Sequence, residues 1–284
     1  MVFDLTGYAQ HGITTPLRVL PESEARSLND QVMAIRSSPA PDVQLGLETN
    51  PHMLFPWLYD LATRTSVLDA VEQILGPDLL IWSSQFFAKE PGDGGFVSWH
   101  QDSTYWGLEP NTVTTAWIAL APSTKESGCM QVVPGSHDKG QFAHKDTFDE
   151  DNLLSRGQEV EVDVAGMETL DVVLQPGEMS LHHVQLVHGS EPNNATWPRV
   201  GFVVRYIPTS VRQIGGRTRA NLVRGEDRFG HFELTAPPTG ELTAQGWADV
   251  NDAKARLTAI VMQSATQASQ HANHRVETPA GEQD

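Results

Sequence analysis

A chain of 284 residues, 39% hydrophobic and 19% charged, can bury a sizeable core, and its 23 Gly and 18 Pro are spread along it, which excludes global disorder. Its 19 Lys and Arg stand against 36 Asp and Glu, a formal charge of −17 that repels a phosphate backbone and argues against nucleic acid as a partner. A single cysteine, Cys129, allows neither an internal disulfide nor a Cys-rich zinc site, so the chain suits a reducing compartment and any metal must use His and carboxylate ligands.

The opening MVFDLTGYAQHG lacks the basic and apolar regions of a secretory signal, and no apolar run approaches the ~20 residues of a membrane span. These features predict a cytoplasmic protein with no membrane partner. Glu22 to Ile35 sets Ala25, Leu28, Val32 and Ile35 on one stripe, as an amphipathic helix requires. Ser66, with Asp69 behind it, reads as the N-cap of a second helix over VLDAVEQIL, which Gly76 stops. From Leu79 to Pro208 come the runs LLIWSSQFF, TVTTAWIALA, MQVV, QEVEVDV, LDVVL, GEMSLHH and VGFVVRYI, parted by Pro-Gly at 134–135 and 176–177 and by Pro192-Asn193-Asn194. Such spacing predicts an antiparallel sandwich or barrel. An Arg-rich stretch, VRQIGGRTRANLVRGEDR, leads to a last helix from about Asp249 to about Gln267 and a frayed tail from His271. No repeat or linker divides the chain, so one domain is expected over 1–284: a helical part at about 20–76, a β core at about 79–208, and a lid with the last helix at about 209–270.

Among the eleven histidines, His11, His52, His231, His271 and His274 have no partner nearby in sequence and read as surface or satisfied polar groups. His100 differs, because Asp102 lies two positions on and both side chains leave an extended segment on the same face. A second imidazole from a distant strand would complete the two-His-one-carboxylate set that suits Fe(II) and leaves positions open. His188 fits best, since it ends the strand-like run SLHHVQLVH and a turn returns the chain as a neighbouring strand beginning at Arg199. A cation there can point into the same cavity and hold a carboxylate.

His100-Gln101-Asp102, His188-Gly189-Ser190 and Arg199, with TAWIAL, GCMQVVPGSH and PGEMSLHH between them, resemble the phytanoyl-CoA dioxygenase family of Fe(II)/2-oxoglutarate oxygenases from about Leu79 to about Phe232. The resemblance implies a mainly β fold with flanking helices, a cupin-like double-stranded β-helix or jelly-roll. It implies an enzyme whose iron is held by His100, Asp102 and His188. It assigns the distal carboxylate of 2-oxoglutarate to Arg199, helped by Ser190, in a pocket lined by Trp117. Gln85 and Lys89, four apart with matching parity on the strand that feeds the His-x-Asp loop, are expected to face the same cavity. The implied reaction uses 2-oxoglutarate and O2 as co-substrates and couples decarboxylation to succinate and CO2 with hydroxylation of a small molecule. Halogenating relatives replace the carboxylate by a small residue, so Asp102 favours hydroxylation.

Rivals remain inside this set. His182 and His183 compete with His188, while Arg205 shares strand parity with Arg199. His137 reads as a turn histidine, and nothing local supports a role for His144. In the Arg-rich stretch, Arg212, Arg217, Arg219, Arg224 and Arg228 form either a solvated loop paired with Glu226 and Asp227 or a wall for an anionic substrate group. Arg217 and Arg219 are the substrate candidates there, and Tyr105, Trp106 and Trp82 offer aromatic faces for a cationic group. Together these features suit a small zwitterion such as an aminoethylphosphonate. Substrate choice is expected to lie in 36–56, 103–112, 140–158 and 209–230. An acid-rich surface with exposed helices permits a homo-oligomer. Two other classes compete: a cupin-like metal enzyme or binding barrel that uses no 2-oxoglutarate, and an inactive relative serving as an interaction protein, which the intact triad and Arg199 oppose.

Overall fold

The computed structural model describes residues 5–154 and 157–276; the side chains of Thr104, Tyr105 and 261–276 lie outside that description. Six α-helices are described: α1 (Thr6–His11), α2 (Glu22–Arg36), α3 (Pro41–Leu45), α4 (Pro56–Ala62), α5 (Thr65–Leu75) and α6 (Ala244–Val276). The strands are β1 (Ile13–Arg18), β2 (Leu79–Lys89), β3 (Val97–His100), β4 (Leu108–Glu109), β5 (Thr114–Ala119), β6 (Met130–Val132), β7 (His144–Asp146), β8 (Gln158–Val160), β9 (Leu170–Val172), β10 (Glu178–His183), β11 (His188–Ser190), β12 (Arg199–Pro208), β13 (Arg212–Gln213), β14 (Arg219–Arg224) and β15 (Glu233–Leu234). Among the described residues no helix is long and apolar enough to cross a membrane.

A seven-stranded sheet in the order β1-β10-β5-β12-β2-β14-β15 faces a four-stranded sheet in the order β3-β11-β6-β9, and the two make the jelly-roll. Period-two alternation divides the work of the large sheet. On its outer face Ile81, Ile118, Phe202, Val204 and Tyr206 pack with the helices through Ala25, Val32, Leu58, Val67 and Val71, all buried. The α2 stripe behaves as its spacing predicts: Ala25 and Val32 are fully buried, and Leu28 and Ile35 pack against the same cluster. On the inner face, a polar row stands at each end with less polar rows between. Lys89 pairs with Arg199, Phe87 with Gly201, Gln85 with Val203 and Ser83 with Arg205.

Several local expectations change. Ser66 is not a cap: α5 begins at Thr65 behind Arg64, and the Ser66 hydroxyl donates to the Val19 carbonyl. Gly76 does end the helix, at φ 87. SLHHVQLVH is two strands in different sheets, because a turn over Val184–Val187, closed by Leu186 N–H to His183 O, carries the chain from β10 to β11. QEVEVDV is extended only at Gln158–Val160. The last helix starts at Ala244, five residues earlier than expected, with the Thr243 hydroxyl accepting the Gly246 N–H. It also continues to Val276, so the expected tail is helical at 271–276; the rest of the tail lies outside the described residues, as do the side chains of His271 and His274. The Arg-rich stretch supplies β13 and β14, the latter paired with β2.

Candidate metal centre and co-substrate pocket

His100 ends β3 and His188 begins β11 directly opposite it, with ring centroids 4.1 Å apart. Each imidazole is oriented by its own strand: Nδ1 of His100 donates to Ser98 O at 2.8 Å and Nδ1 of His188 to Leu186 O at 2.9 Å. The Nε2 lone pairs are thereby left for a metal. Asp102 follows at the head of a 3-10 turn, its Oδ1 3.5 Å from His100 Nε2. One ligand atom from each of the three lies within 4.8 Å of the others. Burial works against the Asp102 charge, but the His100 contact and the nearby His188 and Arg205 hold its carboxyl well below the usual carboxylate range. Burial, with His100 alongside, pushes the His188 pKa well down, so the ring is neutral. A carboxylate and two imidazoles in a partly open cluster are the donor set of non-haem Fe(II), and the residues present fit that ion.

The residue between the ligands locks the loop. Gln101 alternates to the opposite side, where its Nε2 donates to Gly140 O and Gln185 O and its Oε1 accepts from Phe142 N–H. The Gln101 N–H donates to Nε2 of His144, whose Nδ1 donates to Phe142 O. His144 and Gln101 are positioning residues the sequence reading did not assign; the one available signal was that an H-x-D middle residue must point away from the metal.

At one end of the cavity a second cluster gathers. Arg199 is buried, donates Nη1 to Gly128 O at 2.7 Å, and has an Nε with no partner. No carboxylate pairs with it among the described residues, and burial lowers its pKa to about 10. Lys89 lies opposite in β2, donating Nζ to Ser190 Oγ at 2.7 Å and to the carbonyls of Ser190 and Glu191. Burial, then the neighbouring Arg199 charge, lowers its pKa to about 7. Trp117 lies 5.3 Å from the Arg199 guanidinium and fills the space over Gly201, where a Cβ would come within 2.0 Å of the indole. Only glycine leaves room for that ring. Lys89 does not itself line the cavity, contrary to its strand parity, because its Nζ turns to Ser190 and Glu191; Arg199 and the Ser190 hydroxyl do line it and fit the far carboxylate of a diacid.

The other candidates fall in different places. Gln85 shares the inner face but lines the adjoining cleft, with Trp82, Trp106 and Arg205. Trp106 packs on Trp82 at 5.0 Å, and the Tyr105 side chain lies outside the described residues. Arg217 and Arg219 do not line the cavity: Arg217 donates to Phe232 O, and Arg219 is held by Glu233, Asp249 and Asp252. His183 turns away toward Tyr8 and His137. His182 and Arg205, the rivals, both line the cavity with the triad.

The phytanoyl-CoA dioxygenase (PhyH) family model matches residues 8–201. A probable alpha-ketoglutarate-dependent hypophosphite dioxygenase of Stutzerimonas stutzeri is 31% identical over 163 residues, covering 55% of this chain and 55% of that protein. A methylphosphonate hydroxylase of Gimesia maris is 26% identical over 203 residues, covering 66% of this chain and 73% of that protein. The chain spans about half the length of the first curated relatives it matches. The solved structure of the non-heme monooxygenase ThoJ in its apo form is 28% identical with a TM-score of 0.81, covering 92% of this chain and 98% of that one.

Proposed function

The chain belongs to the phytanoyl-CoA dioxygenase family, and from that membership we propose that it is an Fe(II)- and 2-oxoglutarate-dependent dioxygenase that hydroxylates a small molecule while 2-oxoglutarate is decarboxylated to succinate and CO2. The observation that carries the reading is one cavity lined both by a His-Asp-His cluster and by Arg199, a buried cation with no carboxylate partner among the described residues. His100, Asp102 and His188 would hold the ion, which when bound supplies the redox chemistry that activates O2 for hydroxylation. The protein's share is binding and orientation. Arg199 pairs with the far carboxylate of 2-oxoglutarate, and Lys89, whose three protons go to Ser190 Oγ, Ser190 O and Glu191 O, adds positive potential from behind Ser190. Ser190 Oγ already accepts from Lys89, so its own proton is free to donate to that carboxylate. Phe87, Val203 and Trp117 between the two ends exclude water, which strengthens each charge-assisted contact.

Within that class the substrate we favour is a small phosphorus oxyanion carrying an amine, such as an aminoethylphosphonate. Likeness to a hypophosphite dioxygenase and a methylphosphonate hydroxylase supports the phosphorus group. Glu48 and Trp82, which line the adjoining cleft, offer an ammonium group a counter-charge and an aromatic face. A second reading, a cupin-like metal site that uses no 2-oxoglutarate, draws on His182, whose ring is 5.0 Å from that of His188.

Anaerobic addition of Fe(II) and 2-oxoglutarate together tests the main reading: a weak visible absorption band should appear that neither gives alone, and His188→Ala should remove it. Oxygen uptake that requires 2-oxoglutarate and rises with aminoethylphosphonate or methylphosphonate supports the full proposal. Metal binding with oxygen uptake indifferent to 2-oxoglutarate overturns it in favour of the second reading.

A further inference from the structure

The inner face of the large sheet carries a second polar row. Ser83, Arg205, Thr115 and His182 are register partners across β2, β12, β5 and β10. This row lies six residues along β12 from Arg199, roughly 20 Å at strand rise, further than a five-carbon diacid reaches. Gly201, Val203, Phe87 and Trp117 occupy the rows between. The polar row abuts the triad: His182 Nε2 is 3.9 Å from Asp102 Oδ2, and the Thr115 hydroxyl donates to the same oxygen at 3.4 Å.

Its two strongest donors are unspent. Arg205 is 7% exposed, has a long contact from Nη1 to Ser83 Oγ at 3.4 Å, and keeps an Nε without a partner. Trp106 covers the guanidinium at 4.8 Å. His182 is 2% exposed and, among the described residues, neither ring nitrogen has a hydrogen-bond partner. A buried donor left unsatisfied is costly, and a buried cation more so. Asp102 is the carboxylate whose charge acts on Arg205, but a divalent ion on the triad would claim it. Arg199 would be satisfied by one end of 2-oxoglutarate and the metal by the other. Arg205 would then remain as a buried positive charge without a counter-charge, beside the reacting centre.

We infer that Arg205 and His182 form the subsite for an oxyanion head group of the primary substrate, with Arg205 supplying the charge and His182 a ring N–H. The inference rests on the assignment of the Arg199 end to 2-oxoglutarate, and it names the group the other end selects. The donors come from strands on either side of Thr115 and approach from separated directions, which suits a tetrahedral phosphonate or phosphinate better than a planar carboxylate. The head group held there places the adjoining C–H or P–H bond toward the triad.

Calorimetric titration of the protein loaded with Zn(II) and 2-oxoglutarate, which does not turn over, tests this without any activity measurement. Methylphosphonate should bind, and Arg205→Met and His182→Phe should each weaken it by about tenfold to a hundredfold, with Arg205→Lys recovering part of the loss. Both variants should bind 2-oxoglutarate as the wild type does. Acetate is the planar comparison: tighter binding of methylphosphonate assigns the tetrahedral group, and equal Arg205-dependent binding of both assigns the site to oxyanions generally. If 2-oxoglutarate binds but neither anion does, or if Arg205→Met and His182→Phe leave methylphosphonate binding unchanged, this inference fails while the co-substrate assignment stands. If 2-oxoglutarate itself does not bind, the assignment beneath it has failed. Should Arg205→Met not fold, His182→Phe decides alone.

Discussion

The arginines of 212–228 and the two on the inner face of β12 carry the same charge into opposite circumstances. Arg212 pairs with Glu109, Arg219 with Glu233, Asp249 and Asp252, Arg224 with Asp69 and Glu72, and Arg228 with Glu226. Arg199 and Arg205 are buried, and their described contacts are to a carbonyl, a hydroxyl and indole faces. Solvated pairs add little, typically about 0–1 kcal/mol, whereas burying a cation without a counter-ion costs stability. Density of arginine along the chain therefore says less about anion binding than absence of a partner does. Burial without a carboxylate partner among the described residues sets Arg199 and Arg205 apart; Arg217 also lacks such a partner but is exposed and bonds the Phe232 carbonyl.

Arg199→Ala gives the sharpest test of that contrast. It removes a desolvated charge-assisted contact of about 1.5–3 kcal/mol, so the 2-oxoglutarate KM should rise by roughly 10- to 150-fold. A KM unchanged in steady-state assays would break the comparison and move the co-substrate to the Arg205 end. Gly201→Ala attacks the same pocket through packing: its Cβ would meet the Trp117 indole at 2.0 Å, forcing the ring off its place beside Arg199. Overpacking of this kind costs about 1–3 kcal/mol, so a lower Tm and weaker 2-oxoglutarate binding should appear together. A stable variant with normal binding would mean that Trp117 does not shape the pocket.

Lys89 sharpens the contrast through pH. Its pKa is lowered to about 7 by burial, then by Arg199, against about 10.4 for a free lysine. The unfolded chain thus binds more protons between those values, and stability should rise with pH across that window. Binding the diacid calls for the protonated ammonium, so 2-oxoglutarate affinity should fall as pH climbs above about 7, by at most about tenfold per pH unit. Lys89→Met should flatten both trends, weaken 2-oxoglutarate, and raise the Tm of the ligand-free protein near pH 7. A variant that loses Tm there would show that the lysine stabilises the fold more than its desolvation costs.

The chain's own order exposes how far local pattern reaches. His100 and Asp102 were legible because the extended Gln101 between them keeps the alternation one residue past the end of β3, and the pairing of His188 with Arg199 followed from a turn between two β-rich runs, whereas Ser190 came from the family resemblance alone. The break at Val184–Val187 was not, since the four residues are as apolar as the strands they separate and the turn is set by contacts to other elements, such as Val187 N–H to Ser136 Oγ. β1 shows no readable alternation because Pro16 interrupts its pattern, which an edge strand tolerates. The Ser66 hydroxyl went to a carbonyl 47 residues away instead of to its own helix, a choice no window of sequence contains. Gln101 with His144, and the solitude of Arg205, are likewise facts of long-range pairing.

Arg219 is the control from the paired side. Its guanidinium joins β14 to α6 and β15 through Asp249 at 3.3 Å, Asp252 and Glu233 at 3.1 Å. Arg256 also pairs with Glu233 and Asp252, so the network joins two cations to three carboxylates and is more than an isolated pair, but Glu233 is 42% exposed and water screens much of its attraction. Arg219→Ala should cost about 1 kcal/mol, a Tm loss of roughly 2–4 °C. The difference from wild type should shrink as salt is raised, because exposed charges are screened within about 10 Å at 0.1 M. The KM for 2-oxoglutarate should stay at the wild-type value, since this cation already has its counter-charges and none of them lines the cavity. A rise in KM comparable to that of Arg199→Ala would show that pairing does not separate the two sets of arginines.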